Sequence, residues 1–76
     1  MAQMPRVSGN DVIAALGRAG YIVRPGKGSH VVVRARDGRT SVVARGRKTL
    51  HPEQLGRIRS QLGLTREEFI ALLKGG

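Results

Sequence analysis

Residues 29–44, Ser-His-Val-Val-Val-Arg-Ala-Arg-Asp-Gly-Arg-Thr-Ser-Val-Val-Ala, decide the fold of this chain. From Ser29 to Arg36 the residues alternate between two faces and predict a β-strand. Asp37-Gly38 is a strong hairpin signal, and Thr40 to Ala44 predicts the next strand. The alternation places Val31, Val33 and Ala35 on one face, and His30, Val32, Arg34 and Arg36 on the other. Working outward, Tyr21 to Arg24 is a third β-prone run, so the sequence predicts a three-stranded antiparallel meander.

Helices are predicted on both sides of this meander. Ser8 to Asp11 reads as a capping box, which opens a first helix that ends at Gly20. Pro52 suits the first position of a second helix, because proline lacks the N–H that is unused there. Residues 65–74 open with another capping box and predict a short C-terminal helix.

The charge pattern decides where the helices pack. Both main helices must cover the same sheet face, because the other face carries His30, Arg34 and Arg36. The prediction is therefore a small α+β domain of order α-β-β-β-α with a short C-terminal helix, and with one sheet face left basic and uncovered. We expect a single domain over residues 1–76, beginning with a flexible arm at residues 1–6.

Composition narrows the classes of partner. The chain has 76 residues, 14 Lys plus Arg against 5 Asp plus Glu, and a net charge of +9. So strong a positive field favours polyanions, which means RNA, DNA or an acidic protein. The lack of cysteine excludes a disulfide scaffold and a thiolate zinc site. No apolar run approaches the roughly 18 residues of a membrane span. We therefore expect a cytoplasmic chain with no membrane partner.

Few side chains can carry acid–base chemistry. His30 and His51 are the only two histidines, the side chain best suited to acid–base work near neutral pH. Turns and helix first turns account for the carboxylates. Two histidines without a spaced carboxylate or cysteine do not make a metal site, and no phosphate-loop motif is present. We therefore expect no metal and no small-molecule cofactor, and we expect His51 either to cap the second helix or to be merely exposed.

His30 is the residue best suited to catalysis. It follows Gly28-Ser29, has Lys27 three residues before it and shares a predicted sheet face with Arg34. An imidazole can move a proton at a phosphodiester, while cations stabilise the crowded phosphorane. The alternative is a partly buried strand histidine that hydrogen-bonds a turn carbonyl. The run from Arg45 to Lys48 is either a phosphate-contact loop, which the overall charge favours, or a solvated loop.

Four fragments occur in a characteristic order between Val7 and Leu64. They are Val7-Ser8-Gly9, Ala19-Gly20-Tyr21, Gly28-Ser29-His30, and Gly46-Arg47-Lys48-Thr49-Leu50 leading into Pro52. In this order and spacing the chain resembles the HicA-like mRNA interferase toxins of bacterial type II toxin–antitoxin systems. Gly28-Ser29-His30 is the most diagnostic fragment. The chain departs from the family at Arg45, where many relatives carry a second histidine.

The resemblance implies a double-stranded-RNA-binding-like fold over a core of residues 7–64. It also implies a metal-independent ribonuclease that cleaves mRNA through His30, and a cognate HicB-like antitoxin that covers the basic face. On this hypothesis the residues expected to bind RNA are Lys27, Gly28, Ser29, Arg34, Arg45, Arg47 and Lys48.

Two other functions stay open on the sequence. The same fold could serve a non-catalytic RNA-binding module, which reads RNA shape through phosphates and 2′-hydroxyls. A pure interaction protein could instead dock an acidic partner on its basic face. The first alternative predicts salt-sensitive RNA binding without cleavage, and the second predicts no RNA binding when the partner is absent.

Overall fold

Three helices and one three-stranded sheet make up residues 4–75, the part of the chain that the computed structural model describes. The elements are α1 (Gly9–Arg18), β1 (Ile22–Pro25), β2 (His30–Arg34), β3 (Thr40–Ala44), α2 (Pro52–Gln61) and α3 (Arg66–Leu73). This order confirms the expected α+β class, similar to a double-stranded-RNA-binding domain with an added C-terminal helix. No helix in the described range is long and apolar enough to cross a bilayer.

The first and third helices begin at the capping boxes that the sequence predicts. Asp11 N–H donates to Ser8 Oγ at 3.1 Å, and Ser8 N–H donates back to the Asp11 carboxylate at 3.0 Å. Thr65 and Glu68 form the same reciprocal pair at the start of α3. These bonds satisfy N–H groups that a helix start otherwise leaves without partners, which is why the boundaries are readable from sequence.

The sheet is an antiparallel meander in the order β1-β2-β3, as predicted. Val31 pairs with Val43 and Val33 pairs with Ser41, and all four residues are buried. β1 begins at Ile22, one residue later than predicted. Partners that lie opposite each other in neighbouring strands point to the same face, so this register fixes the content of both faces.

The β2–β3 connection differs from the prediction. Ala35 N–H donates to the Arg39 carbonyl at 2.8 Å and Gly38 N–H donates to the Ala35 carbonyl at 3.0 Å, which makes a three-residue loop. Gly38 has a φ of +91°, the left-handed conformation that such a loop needs. β2 therefore ends at Arg34, and the prediction that Arg36 lies on the sheet face with His30 is wrong, because Arg36 lies in this loop.

The core lies on one face of the sheet, under the helices. Its buried members are Val12, Leu16, Val31, Val33, Val43, Leu55, Ile58, Leu62 and Phe69. α1 contacts all three strands, α2 contacts β3, and α3 packs on α1. This arrangement confirms that both main helices cover the same sheet face.

The other side of the sheet has no helix packed on it and is called the open face below. It carries Ile22, Arg24, His30, Val32, Arg34, Thr40, Val42 and Ala44. Charged and apolar side chains are mixed on it, since Arg24 lies in the same row as Val42, which is 44% exposed, and Arg34 lies beside Ile22, which is 50% exposed. The predicted arm at residues 1–6 lies partly outside the described residues. Within them, Met4 is half-buried and packs against the core.

Candidate functional site

His30 is the first residue of β2, and its side chain is exposed on the open face. Within residues 4–75 no hydrogen bond engages its imidazole. Both observations contradict the alternative of a partly buried histidine that is bonded to a turn carbonyl. Both ring nitrogens are therefore available to a ligand.

A tight turn over Lys27–His30 sets the position of His30. His30 N–H donates to the Lys27 carbonyl at 3.0 Å, and Gly26 N–H donates to the His30 carbonyl at 2.9 Å. Gly28 has a φ of +59° at the first central position of this turn, where a type II′ turn requires glycine. No atom lies within 4 Å of the point where a Cβ would stand on Gly28. The glycine therefore meets a backbone requirement and leaves the outer side of the turn open.

The basic loop, Arg45–Lys48, lies beside this turn. Arg45 N–H donates to the Ser29 carbonyl at 2.7 Å, because β3 ends where β2 begins. The exposed cationic side chains at this end of the sheet are those of Lys27, Arg45, Arg47 and Lys48. The structure thus brings most of the residues that the sequence predicts for RNA binding to the same end as His30.

The N-terminus of α1 holds the basic loop in place. Asn10 N–H donates to the Gly46 carbonyl at 3.1 Å, and Gly46 N–H donates back to Asn10 Oδ1 at 3.0 Å. Just beyond the loop, Leu50 N–H donates to the Val7 carbonyl at 2.8 Å. Sequence reasoning missed Asn10, because nothing in the local pattern links it to a loop 36 residues away.

Gly9 lets α1 approach the end of β3 closely. A methyl group on Gly9 would collide with the carbonyl oxygen of Ala44. The first N–H groups of the helix are already used there, since Asn10 N–H binds Gly46 and Asp11 N–H binds Ser8. The start of α1 is therefore a structural contact with the basic loop and the end of β3, and its N–H groups do not form an anion-binding site.

A groove of about 430 Å³ runs along β3 and has α2 as its opposite wall; it is called the β3–α2 groove below. It is lined by His30, the five residues of β3, Leu50, Gln54, Arg57, Ile58 and Gln61, with no Asp or Glu among them. Arg57 is exposed and is the cation that α2 contributes to this groove. Ser41 Oγ donates to Gln61 Oε1 at 2.7 Å, which ties the helix to the strand.

Sequence reasoning also missed Arg57 and Gln54 as residues of the site. The helical spacing of Leu55 and Ile58 predicts which side of α2 is buried, so the exposed side was readable. The sequence pattern does not say which sheet edge that exposed side would border. That pairing of α2 with β3 comes from the tertiary packing.

Arg34 lies at the opposite end of β2 from His30. Four residue steps of about 3.3 Å separate the two positions by roughly 13 Å, although both side chains are on the open face. Arg34 therefore does not join the cluster around His30. Its surroundings are the β2–β3 loop, in which Arg39 Nε pairs with Asp37 at 3.3 Å.

Three other side chains, those of His51, Asp11 and Glu68, form hydrogen bonds at the starts of helices. His51 Nδ1 accepts Glu53 N–H at 3.2 Å, so His51 caps α2 as expected. Hydrogen bonds from the N–H and then the hydroxyl of Ser8 lower the pKa of the Asp11 carboxyl. The capping box of α3 lowers the pKa of Glu68 in the same way. Within residues 4–75 no three histidine or acidic side chains gather in a way that could hold a metal ion.

A comparison with known protein families finds a match that covers most of this fold. A family model described as "HicA toxin of bacterial toxin-antitoxin" matches residues 9–64. The match begins at the first residue of α1 and ends just before α3, so it covers the sheet and both helices that flank it. A search of curated proteins finds no match.

Proposed function

The chain belongs to the HicA toxin family of bacterial toxin–antitoxin systems, and from this we propose that it is a metal-independent ribonuclease that cleaves mRNA through His30. The observation that carries the proposal is the exposed, unbonded imidazole at the rim of the β3–α2 groove. A catalytic acid or base must be able to reach a proton on its substrate, and an exposed ring beside a groove meets that need.

In the proposed reaction the ribose 2′-oxygen attacks the neighbouring phosphorus. The O2′–P bond forms as the P–O5′ bond breaks, which leaves a 2′,3′-cyclic phosphate and a 5′-hydroxyl. The 2′-hydroxyl gives up one proton and the leaving 5′-oxygen takes one. His30 performs one of these transfers, as general base or general acid, and water performs the other, because His30 is the one histidine that lines the groove.

Cations around His30 supply the rest of the catalysis in this proposal. Lys27 and the basic loop would contact phosphates, and Arg57 would stabilise the charge that develops on the phosphorane. Ser29 and the backbone of Gly28 would orient the scissile phosphate or His30 itself. Arg34, at the far end of β2, would contact a phosphate further along the strand.

The positions of the acidic and histidine side chains support an RNA cleavage reaction that uses no metal ion. All five acidic side chains lie in helix first turns or in the β2–β3 loop. His30 and His51 also differ in their hydrogen bonds, since His51 caps α2 through Nδ1. Cations held by the protein therefore replace a metal ion as the source of positive charge in the proposal.

The test compares His30→Gln with His51→Asn. Both proteins are expressed from a controlled promoter while growth and RNA integrity are followed. His30→Gln should abolish growth arrest and lower cleavage by about 10²–10⁴-fold, the range that positioned acid–base groups supply. His51→Asn keeps a side-chain acceptor at the N-cap and should behave like the unaltered protein.

The cleavage products and the pH dependence sharpen this test. Fragments should end in 2′,3′-cyclic phosphates. A cleavage rate that rises across the range in which imidazole titrates identifies His30 as the base, and a rate that falls identifies it as the acid. Full growth arrest by a folded His30→Gln protein would exclude the mechanism.

A non-catalytic RNA-binding module is the second candidate. It is favoured by the spread of exposed cations over the open face, from Arg24, which lies opposite Val32, to Arg34 at the far end of β2. This candidate predicts RNA affinity that falls with salt and RNA that stays intact. The same growth and RNA assays separate the two functions.

A further inference from the structure

The two edges of the sheet are unlike each other. In the order β1-β2-β3 the outer strands are β1 and β3. β1 has four residues and ends at Pro25, whose missing N–H prevents full pairing with another strand. β3 spans Thr40–Ala44 and contains neither proline nor a charged residue. Proline, charge and short length are what usually protect an exposed edge from pairing.

The outward groups of β3 follow from the hydrogen bonds at its two ends. Ala35 N–H donates to the Arg39 carbonyl, and Arg45 N–H donates to the Ser29 carbonyl. Antiparallel pairs alternate, so Ser41 and Val43 exchange hydrogen bonds with β2. The N–H and C=O groups of Thr40, Val42 and Ala44 therefore point away from the sheet, toward the β3–α2 groove.

These outward groups include a free donor and acceptor at the centre of the edge. The carbonyl of Ala44 is covered by Gly9. No residue in the described part of the chain hydrogen-bonds to the outward groups of Val42, and its side chain is 44% exposed. Only another extended chain offers donors and acceptors at the two-residue spacing that this edge presents.

The α2 wall of the β3–α2 groove provides a surface against which such a chain can pack. α2 contributes Gln54, Arg57 and Gln61 at helical spacing along the groove. Side chains of an added strand alternate, so every second one would point onto this wall of α2. The groove of about 430 Å³ therefore has both a strand edge and a polar surface to receive an extended segment.

The charge of the residues that line the β3–α2 groove indicates which kind of extended segment it would bind. No acidic residue lines the β3–α2 groove, and His30 and Arg57 both border it. The chain has 14 Lys plus Arg against 5 Asp plus Glu, and the single ion pair within residues 4–75, Asp37–Arg39, lies in the β2–β3 loop away from this groove. A second copy of this chain would bring two sets of these cations together, whereas an acidic segment complements them.

We propose that an extended acidic segment of the cognate antitoxin adds a fourth strand along β3 and lies in the β3–α2 groove beside His30. This inference rests on the proposed function, because it explains neutralisation as competition between that strand and RNA for the same groove. The backbone bonds give affinity, and acidic side chains on Arg57 and the basic end of the sheet give selectivity and fast association.

The test measures amide hydrogen exchange in the toxin alone and in its complex with the antitoxin encoded beside its gene. His30→Gln toxin is used so that the free protein can be produced. The Val42 amide should exchange at least about tenfold more slowly in the complex, while the Val23 amide, which faces outward on the opposite edge, should be unchanged. An unchanged Val42 amide in a formed complex would overturn the proposal.

Two variants of one residue give a second measurement. Val42→Pro removes the outward N–H without removing a bond to β2, and Val42→Ala keeps that N–H while shortening the side chain. Circular dichroism establishes that each variant is folded. Antitoxin affinity should be about tenfold weaker for Val42→Pro than for Val42→Ala. Equal affinities for the two folded variants would contradict strand pairing.

Other occupants would give distinct results. Protection of Val42 that grows with toxin concentration alone would mean a second copy, and protection by a deoxy-substituted RNA but not by antitoxin would mean RNA. Either result overturns the proposal. If cleavage does not depend on His30, the proposed function fails, yet the Val42 amide still reports whether the antitoxin pairs with β3.

Discussion

The two ends of β2 differ in their surroundings although they resemble each other in sequence. Each end joins a tight glycine-containing turn, at Gly28 and at Gly38, and each carries exposed cations. At the Arg34 end, the loop bonds mainly to itself, since Arg39 N–H donates to Asp37 Oδ1 at 3.1 Å. At the His30 end, α1, the basic loop and α2 all converge.

This comparison shows that a high density of positive charge is not sufficient to form a candidate functional site. Exposed cations lie at both ends, but only the His30 end combines them with an exposed imidazole at the rim of the β3–α2 groove. Tyr21, near the other end, has a pKa raised by burial and by the charges of Glu68 and Asp37, so it stays neutral at physiological pH. The difference lies in which distant segments meet.

The largest effect is expected from a substitution at the contact between α1 and the end of β3. Gly9→Ala should lower the free energy of unfolding by about 1–3 kcal/mol, because the new methyl group collides with the Ala44 carbonyl. Gly17→Ala, in the same helix, meets only Val23 Cγ2 at 3.9 Å and should raise it by about 0.5–1 kcal/mol. Urea unfolding of both variants in the His30→Gln background measures the two values. The same sign for both would contradict the close approach of α1 to β3.

A smaller effect is expected from removing one cation, either in the β3–α2 groove or at the Arg34 end of β2. Arg57→Ala should lower kcat/KM for RNA about tenfold, since a charged hydrogen bond contributes about 1.5 kcal/mol. Arg34→Ala should change it less than about threefold, while the slope of log affinity against log salt falls by about 0.7 for each phosphate that the variant no longer neutralises. Cleavage kinetics and RNA binding over a range of salt concentrations provide the comparison. An equal reduction of kcat/KM in both variants would remove the distinction between the two ends.

The smallest effect concerns the attachment of the basic loop. Asn10→Ala should cost about 1 kcal/mol of stability and speed exchange of the Gly46 amide, because the bond to Asn10 Oδ1 is removed. Asn10→Asp keeps an acceptor oxygen and should preserve protection of that amide. Hydrogen exchange of the two variants in the His30→Gln background measures the effect. If the Gly46 amide exchanges at the same rate in both, the loop is held by other contacts.

Much of the fold was predictable because its signals are local. Ser8 with Asp11, and Thr65 with Glu68, satisfy helix N–H groups within four residues of chain, so each helix start is visible in the sequence. The end of β2 was not predictable to the residue. Asp37-Gly38 suits both a two-residue and a three-residue loop, and the hydrogen bond from Ala35 to Arg39 decides between them.

By itself, the sequence determined the order of elements, the buried face of the sheet and the placement of His30 on the opposite face, because alternation and capping act over a few residues. Tertiary structure alone decided that Asn10 holds the basic loop, that Arg57 borders the same groove as His30, and that β3 has an open edge. Those facts join segments that are far apart in the chain. Their pairing depends on how the helices pack on the sheet, and packing is a property of the whole core.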